Sequence, residues 1–214
     1  MAQMKKALIV FHGNLSDTSQ IKKYIDKETL LIAADGGLSH FSKLGIIPHV
    51  ILGDMDSASP ESVVACEKKG AKIVRFPREK DQTDSQLAIE YAVAKHLHKI
   101  FIFGLLGDRV DHLSANIFYL SKISEKIKLT IVENKQTIYF LRDKIEIEGK
   151  IGDELSLIPL QNQVKNITTT GLQYQLNHEN LDFGATRGVS NVFQKERVKI
   201  SITGGLLMVV HRST

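Results

Sequence analysis

Between residues 5 and about 140, short apolar, β-branched runs alternate with helix-length segments, and after about residue 143 the helical period disappears. This change of period limits the folds open to the chain. The predicted strands of the first part are Lys6 to Phe11, Leu30 to Ala34, Val50 to Leu52, Lys72 to Phe76, Ile100 to Phe103, Leu129 to Val132 and Ile138 to Leu141. Their apolar runs are continuous rather than alternating, which is expected of parallel strands covered on both faces. Helices are predicted at about Asp17 to Ile25, Leu38 to Leu44, Pro60 to Lys69, Asp84 to His96 and His112 to Ile123. Ser59 before Pro60 reads as an N-cap with proline at the first helical position, and Thr83 with Gln86 as a capping box. Gly45 and Gly70 stand where helices should stop.

In the second part, Ile145 to Ile147, Glu154 to Pro159, Val164 to Thr168, the stretch around Val192, Val198 to Thr203 and Leu206 to Val210 read as short strands. They are divided by Gly149, Gly152, Gly171, Gly188 and Gly204-Gly205, the pattern of a small sandwich or barrel. The expected fold class is therefore α/β: a mostly parallel open sheet with flanking helices over residues 1–142, followed by a smaller all-β sandwich over 143–214. A β unit of that size is marginal as an independent core, so it should pack on the first domain or on a second subunit.

Composition removes several function classes. The chain has 28 Lys and Arg against 24 Asp and Glu, a formal net charge of +4. Its cations are scattered, with no basic run interleaved with aromatics, so nucleic acid is not an expected partner. The single cysteine rules out an internal disulfide framework, and no apolar run has the length of a membrane span, so a reducing cytoplasm is the expected compartment. Ala7 to Phe11 is too short for the apolar core of a signal peptide and reads as a first strand.

The polar clusters all fall after predicted strands, where ligands bind in open α/β sheets. Ala33-Ala34-Asp35-Gly36-Gly37 follows the second strand and Gly53-Asp54-Met55-Asp56-Ser57 the third. Pro77 to Asp84, containing Lys80-Asp81-Gln82-Thr83-Asp84, follows the fourth, and Gly104 to His112 the fifth. Asp54 and Asp56, two apart, should present their carboxylates to one side if extended. Asp84 should sit at a helix start, where the dipole favours negative charge. Two like charges 4 Å apart repel by roughly 4 kcal/mol at an effective dielectric of 20, so a divalent cation is needed to gather them. Mg²⁺, with oxygen ligands shared between carboxylates, water and phosphates, suits Asp54, Asp56 and Asp84. Gly36-Gly37 and Gly104 with Gly107 let backbone approach a phosphate or ribose. Lys80 and Arg109 suit the neutralising of phosphate charge. There is no Gly-x-x-x-x-Gly-Lys-Ser/Thr loop and no Gly-x-Gly-x-x-Gly, so neither a P-loop kinase nor an ordinary dinucleotide dehydrogenase is indicated. Cys66 has no activating neighbour in sequence and reads as structural. Thr186-Arg187-Gly188-Val189-Ser190-Asn191 is a polar turn suited to reading a small heterocycle.

Taken in order, these motifs, with Gly45-Ile46-Ile47-Pro48, Gly107-Asp108-Arg109-Val110-Asp111-His112 and Thr170-Gly171-Leu172-Gln173-Tyr174, resemble the thiamine pyrophosphokinase (thiamine diphosphokinase) family over almost the whole chain. The resemblance implies pyrophosphoryl transfer from ATP to the hydroxyl of thiamine, giving thiamine diphosphate and AMP and requiring Mg²⁺. It further implies a homodimer with the active site between subunits. Carried over by position, Asp54, Asp56 and Asp84 are the metal carboxylates, acting in catalysis with Arg109 and Asp111. Asp35, Gly36, Gly37, Ser57, Lys80, Asp81, Thr83, Gly107, Arg109 and His112 are implied nucleotide contacts, and Asp111, Ser190 and Asn191 thiamine contacts. Two positions depart from the family pattern. Asp108 stands where a second glycine is usual in Gly-Gly-Arg-x-Asp, and the chain has no tryptophan to stack on thiamine. The same aspartates would also suit a metal-dependent nucleotide phosphohydrolase, and a pocket without turnover would make a nucleotide or thiamine diphosphate sensor.

Overall fold

The structure is a computed structural model and describes residues 4–77, 81–107 and 109–214. The chain divides into two compact units, Met1–Asn134 and Lys135–Thr214. In the first, β1 (Lys6–Val10) leads through a 3-10 helix (Thr18–Tyr24) to β2 (Thr29–Ala34), a 3-10 turn (Asp35–Gly37) and α1 (Leu38–Lys43). Then come β3 (Val50–Gly53), α2 (Pro60–Lys68), β4 (Lys72–Arg75), α3 (Asp84–Ala94), β5 (Lys99–Phe103), α4 (Val110–Ile123) and β6 (Lys128–Glu133). The strand order is β6-β5-β1-β2-β3-β4, and every pairing among them is parallel. The order reverses between β1 and β5, which makes the crevice beyond their carboxyl ends the topological switch point.

The sequence signals act as expected at several ends. The Ser59 hydroxyl accepts a hydrogen bond from Ser62 N at 3.4 Å with Pro60 at the first helical position, and Gly45 and Gly70 take φ values of 67° and 96°. Thr83 Oγ1 accepts from Gln86 N at 3.2 Å, but the Gln86 amide turns to Glu90 at 2.8 Å, so only half of the capping box forms. Leu8, Ile9, Ile32, Ile51, Ile100 and Ile102 lose all or nearly all contact with solvent, each such burial contributing on the order of 2 kcal/mol. The segment expected as the first helix is a 3-10 turn. Asp17 caps it through Ser19 N at 2.9 Å, and Gln20 is tied by its amide to Asn134 O at 2.9 Å.

The second unit contains β7 (Gln136–Leu141), β8 (Lys144–Glu148), β9 (Glu154–Pro159), β10 (Gln163–Thr170), β11 (Glu179–Asp182), β12 (Asn191–Val192), β13 (Arg197–Ser201) and β14 (Leu207–Arg212). Two antiparallel layers, β12-β9-β14-β7 and β11-β10-β13-β8, share a core that includes Leu155, Leu157, Ile167, Phe193, Val198 and Val209. Two expectations change here. The run Ile138 to Leu141 was grouped with the parallel strands, but β7 pairs antiparallel with β14, Leu141 opposite Leu207. Only Asn134 and Lys135 separate it from β6, too few residues for a parallel crossover. Strand β11, Glu-Asn-Leu-Asp, has no apolar run to reveal it; it is held by pairing to β10 across a bulge at Val164 to Ile167. Among the described residues, no helix is long and apolar enough to cross a membrane.

Candidate active site

Parallel register sets Ala34 opposite Leu52, so the clusters after β2 and β3 emerge side by side. Carboxylate oxygens of Asp35, Asp54 and Asp56 all lie within 4.8 Å of one another. Backbone in the left-handed region achieves this, with Asp35 at φ 48° and Met55 at φ 67°. Such values are uncommon for residues with a Cβ and are concentrated where function keeps them. The Asp54-Met55-Asp56 segment is thus a turn rather than the extended stretch expected, and Asp54 Oδ1 accepts from Asp56 N at 3.1 Å. A Cβ on Gly53, itself at φ 141°, would lie 3.1 Å from the Asp35 Cβ, so the strand end leaves that side chain its place. Asp35 Oδ1 is buried without a hydrogen-bond partner. A buried, unpaired carboxylate oxygen among other carboxylates is costly as it stands and is the donor set a hard divalent cation requires.

The other sequence-derived residues surround this group unevenly. Asp84 lies in the first turn of α3, behind the Thr83 cap and outside the 4.8 Å group. The Gln82 amide faces inward and donates to Glu90 on α3 at 3.1 Å, while Asp81 is exposed. Ser57 donates to Asp56 Oδ1 at 3.0 Å. Arg109, at the start of α4, forks onto Asp111 with Nε to Oδ1 at 3.2 Å and a second contact at 2.5 Å. The Arg109 hydrogen bonds hold the Asp111 carboxyl at about 2, and the Asp111 partner raises the arginine in turn. A carboxylate so acidic is a weak proton acceptor near neutral pH. His112 is exposed in the same turn. Lys80 and Asp108 lie outside the described residues.

A cleft of about 750 Å³ opens at the switch point, lined by His12, Asn14, Ser39, Lys43, Gly107 and Asn134 among others. Gly36 and Gly37 serve it by close packing: a Cβ on Gly37 would stand 2.0 Å from Val10 O, and one on Gly36 2.5 Å from the His12 ring. His40 Nε2 donates to Gly13 O at 2.9 Å, and burial pushes its pKa down, favouring the neutral ring. Glu133 and Asn134, which hold the loops of this cleft, escaped sequence reasoning. An acidic residue closing the apolar run Leu129 to Val132 was the available signal.

In the second unit, Asn191 is buried and its amide is committed to backbone: Nδ2 donates to Tyr174 O at 2.6 Å and Oδ1 accepts from Tyr174 N at 3.0 Å. It therefore fixes the backbone of Tyr174, a residue 65% exposed. Ser190, exposed at φ 59°, donates its N–H to Ser156 Oγ at 3.1 Å. Gly188 N–Cα–C packs where a Cβ would meet Leu157 O at 2.3 Å, so the turn closes tightly on β9.

A parallel sheet whose carboxyl rim carries three converging aspartates beside a switch-point cleft defines a nucleotide-handling α/β enzyme. Residues 21–132 match the family model of the thiamin pyrophosphokinase catalytic domain, and residues 142–207 that of the thiamin pyrophosphokinase vitamin B1 binding domain. The chain is 33% identical to the thiamine pyrophosphokinase of Bacillus subtilis over 214 residues, covering 99% of this chain and all of that one. The crystal structure of the Bacillus subtilis thiamine pyrophosphokinase superposes with a TM-score of 0.87 at 30% identity, over 98% of this chain and 100% of that one. That of the Geobacillus thermodenitrificans thiamin pyrophosphokinase gives 0.83 at 26% identity, over 98% of each chain. The chain belongs to the thiamine pyrophosphokinase family.

Proposed function

We propose that the chain transfers the pyrophosphoryl group of ATP to the hydroxyl of thiamine. The alcohol oxygen bonds to the β-phosphorus, the bond from that phosphorus to the α,β-bridging oxygen breaks, AMP departs and the hydroxyl proton is released. The observation that carries this reading is the convergence of Asp35, Asp54 and Asp56 with a buried, unpaired oxygen on Asp35. Asp54 and Asp56 with Asp35 would hold Mg²⁺, and Asp84 from the start of α3 completes the acidic rim. When bound there, Mg²⁺ neutralises charge on the transferring phosphates. The chain's own part is positioning. Arg109 faces the phosphates as a fork oriented by Asp111, while Ser57, Asp81, Thr83, Gly107 and His112 line the nucleotide's path, with Lys80 contributing a further cation. Asp111 orients Arg109 through its bidentate contact.

The second unit supplies the acceptor side, Ser190 beside the turn and Asn191 through Tyr174. Tyr174 is the exposed aromatic whose backbone Asn191 fixes, and it suits covering the thiamine ring in a chain without tryptophan. AMP formation from Mg-ATP is expected to depend strictly on thiamine and to stop with EDTA; rapid loss of ATP without thiamine would establish the hydrolase instead. The chain is further proposed to act as a homodimer with the site between subunits. Supporting this, the second unit exposes Ile151, Tyr174 and Phe183. Sedimentation should find a dimer at micromolar concentration, and a monomer there refutes it. A cytoplasmic setting suits the single cysteine, Cys66, buried on α2 with its thiol pKa raised by that burial.

A further inference from the structure

We propose that Glu133 and Asn134, adjacent at the end of β6, form a clasp that holds both loops of the switch-point cleft, and that Glu133 is a positioning residue for ATP. Glu133 is 4% exposed. Its Oε1 accepts hydrogen bonds from Leu105 N at 2.5 Å and Leu106 N at 3.1 Å, in the loop that follows β5 and runs on to Gly107 and Arg109. Asn134 grips the loop after β1 in the same manner. Its Oδ1 accepts from Ser16 N at 2.7 Å and Ser16 Oγ at 2.8 Å, and its Nδ2 donates to Asn14 O at 3.2 Å. The two loops also meet directly, Gly13 N donating to Gly104 O at 2.8 Å. A Cβ on Gly13 would come within 2.4 Å of that oxygen, so the two loops pack backbone against backbone.

A carboxylate is an expensive way to cap a loop. Burial pushes the Glu133 pKa up to about 7 despite the backbone N–H groups of Leu106, Leu105 and Gly104, whereas an apolar side chain would carry no such penalty. What the carboxylate contributes is geometric: it turns successive loop amides inward and so fixes the loop up to Gly107, which lines the cleft. Asn134, at φ 45°, lines the cleft itself.

The inference rests on the reading of the loop after β5, up to Gly107, as part of the nucleotide site, and its test separates the two. In the full chain, Glu133→Ala is expected to speed hydrogen exchange at the Leu105 and Leu106 amides. It should also raise the KM for Mg-ATP about tenfold, the order of effect of losing the pair of hydrogen bonds that positions the loop, with the KM for thiamine unchanged. Glu133→Gln, which keeps an acceptor oxygen in place, should restore both. If Glu133→Ala does not fold, Glu133→Asp, one methylene shorter, is read in its stead. Normal amide protection in the shortened variant overturns the clasp, and leaves the aspartate site, tested separately by Asp54→Asn, untouched. Faster exchange with an unchanged KM for Mg-ATP, or equal increases in both KM values that Gln does not restore, overturns the positioning role.

Discussion

Asp54→Asn is expected to cut thiamine diphosphate formation by at least a hundredfold while leaving the chain folded, as judged by its melting transition. Removing residues that merely support a metal ligand typically costs about 10- to 100-fold, and a ligand itself should cost more. The fold should survive, because Asp54 and Asp56 are not buried in the core. Asp35→Asn should lose turnover alike and gain stability measured without Mg²⁺, since its Oδ1 is the buried, unpaired atom of the three converging carboxylates. Raised Mg²⁺ should recover part of the Asp54→Asn turnover, because a neutral oxygen can still coordinate weakly. Near-normal turnover in either variant, or a loss that coincides with unfolding, refutes the metal assignment.

The rim was legible because its residues are local: each cluster follows directly on an apolar run, and parallel strands deliver such clusters to one edge. What could not be read is register. Asp35 joins Asp54 and Asp56 because Ala34 lies opposite Leu52, a pairing of residues eighteen positions apart that no motif encodes. Asp84 starts α3, as its sequence predicts, and lies outside the group whose oxygens come within 4.8 Å. The close packing at Gly36-Gly37, with the Gly37 position lying against Val10 O, is a further demand on these glycines that sequence alone does not show. Glu133 was hidden because a strand-end carboxylate ordinarily points to solvent, and only the β5 loop folding over it buries the charge. In the second half the turn glycines marked most of the strands. Polar β11 was lost because it has no apolar run, and the reversal of direction at β7 because its partner β14 lies at the far end of the chain.

A second buried carboxylate should dominate the stability of the β unit. Asp153, 2% exposed, accepts from Lys150 N at 2.9 Å, from His211 Nε2 at 2.9 Å and from Thr214 N at 3.1 Å. Since a carboxylate only accepts, Nε2 carries the proton, and the ring stacks on Phe193 with centroids 4.9 Å apart. These bonds join the turn before β9 to the last strand, 58 residues away in sequence. Asp153→Ala is therefore expected to cost about 3 to 5 kcal/mol, the usual effect of removing one member of a buried pair, by stranding the imidazole and two backbone N–H groups. Burial alone would raise the Asp153 pKa, but the hydrogen bonds from Lys150 N, His211 and Thr214 N outweigh it and hold it at about 2. A folded-state value below the ordinary 3.8 gives stability that is complete above that pH and disappears as pH falls towards 2. The difference corresponds to about 2 kcal/mol. Denaturant titrations of the wild type and Asp153→Asn should thus converge between pH 4 and about pH 2. Curves that stay parallel through that window would mean that the carboxylate's charge plays no part, and that the pair holds the C-terminal strand by shape alone.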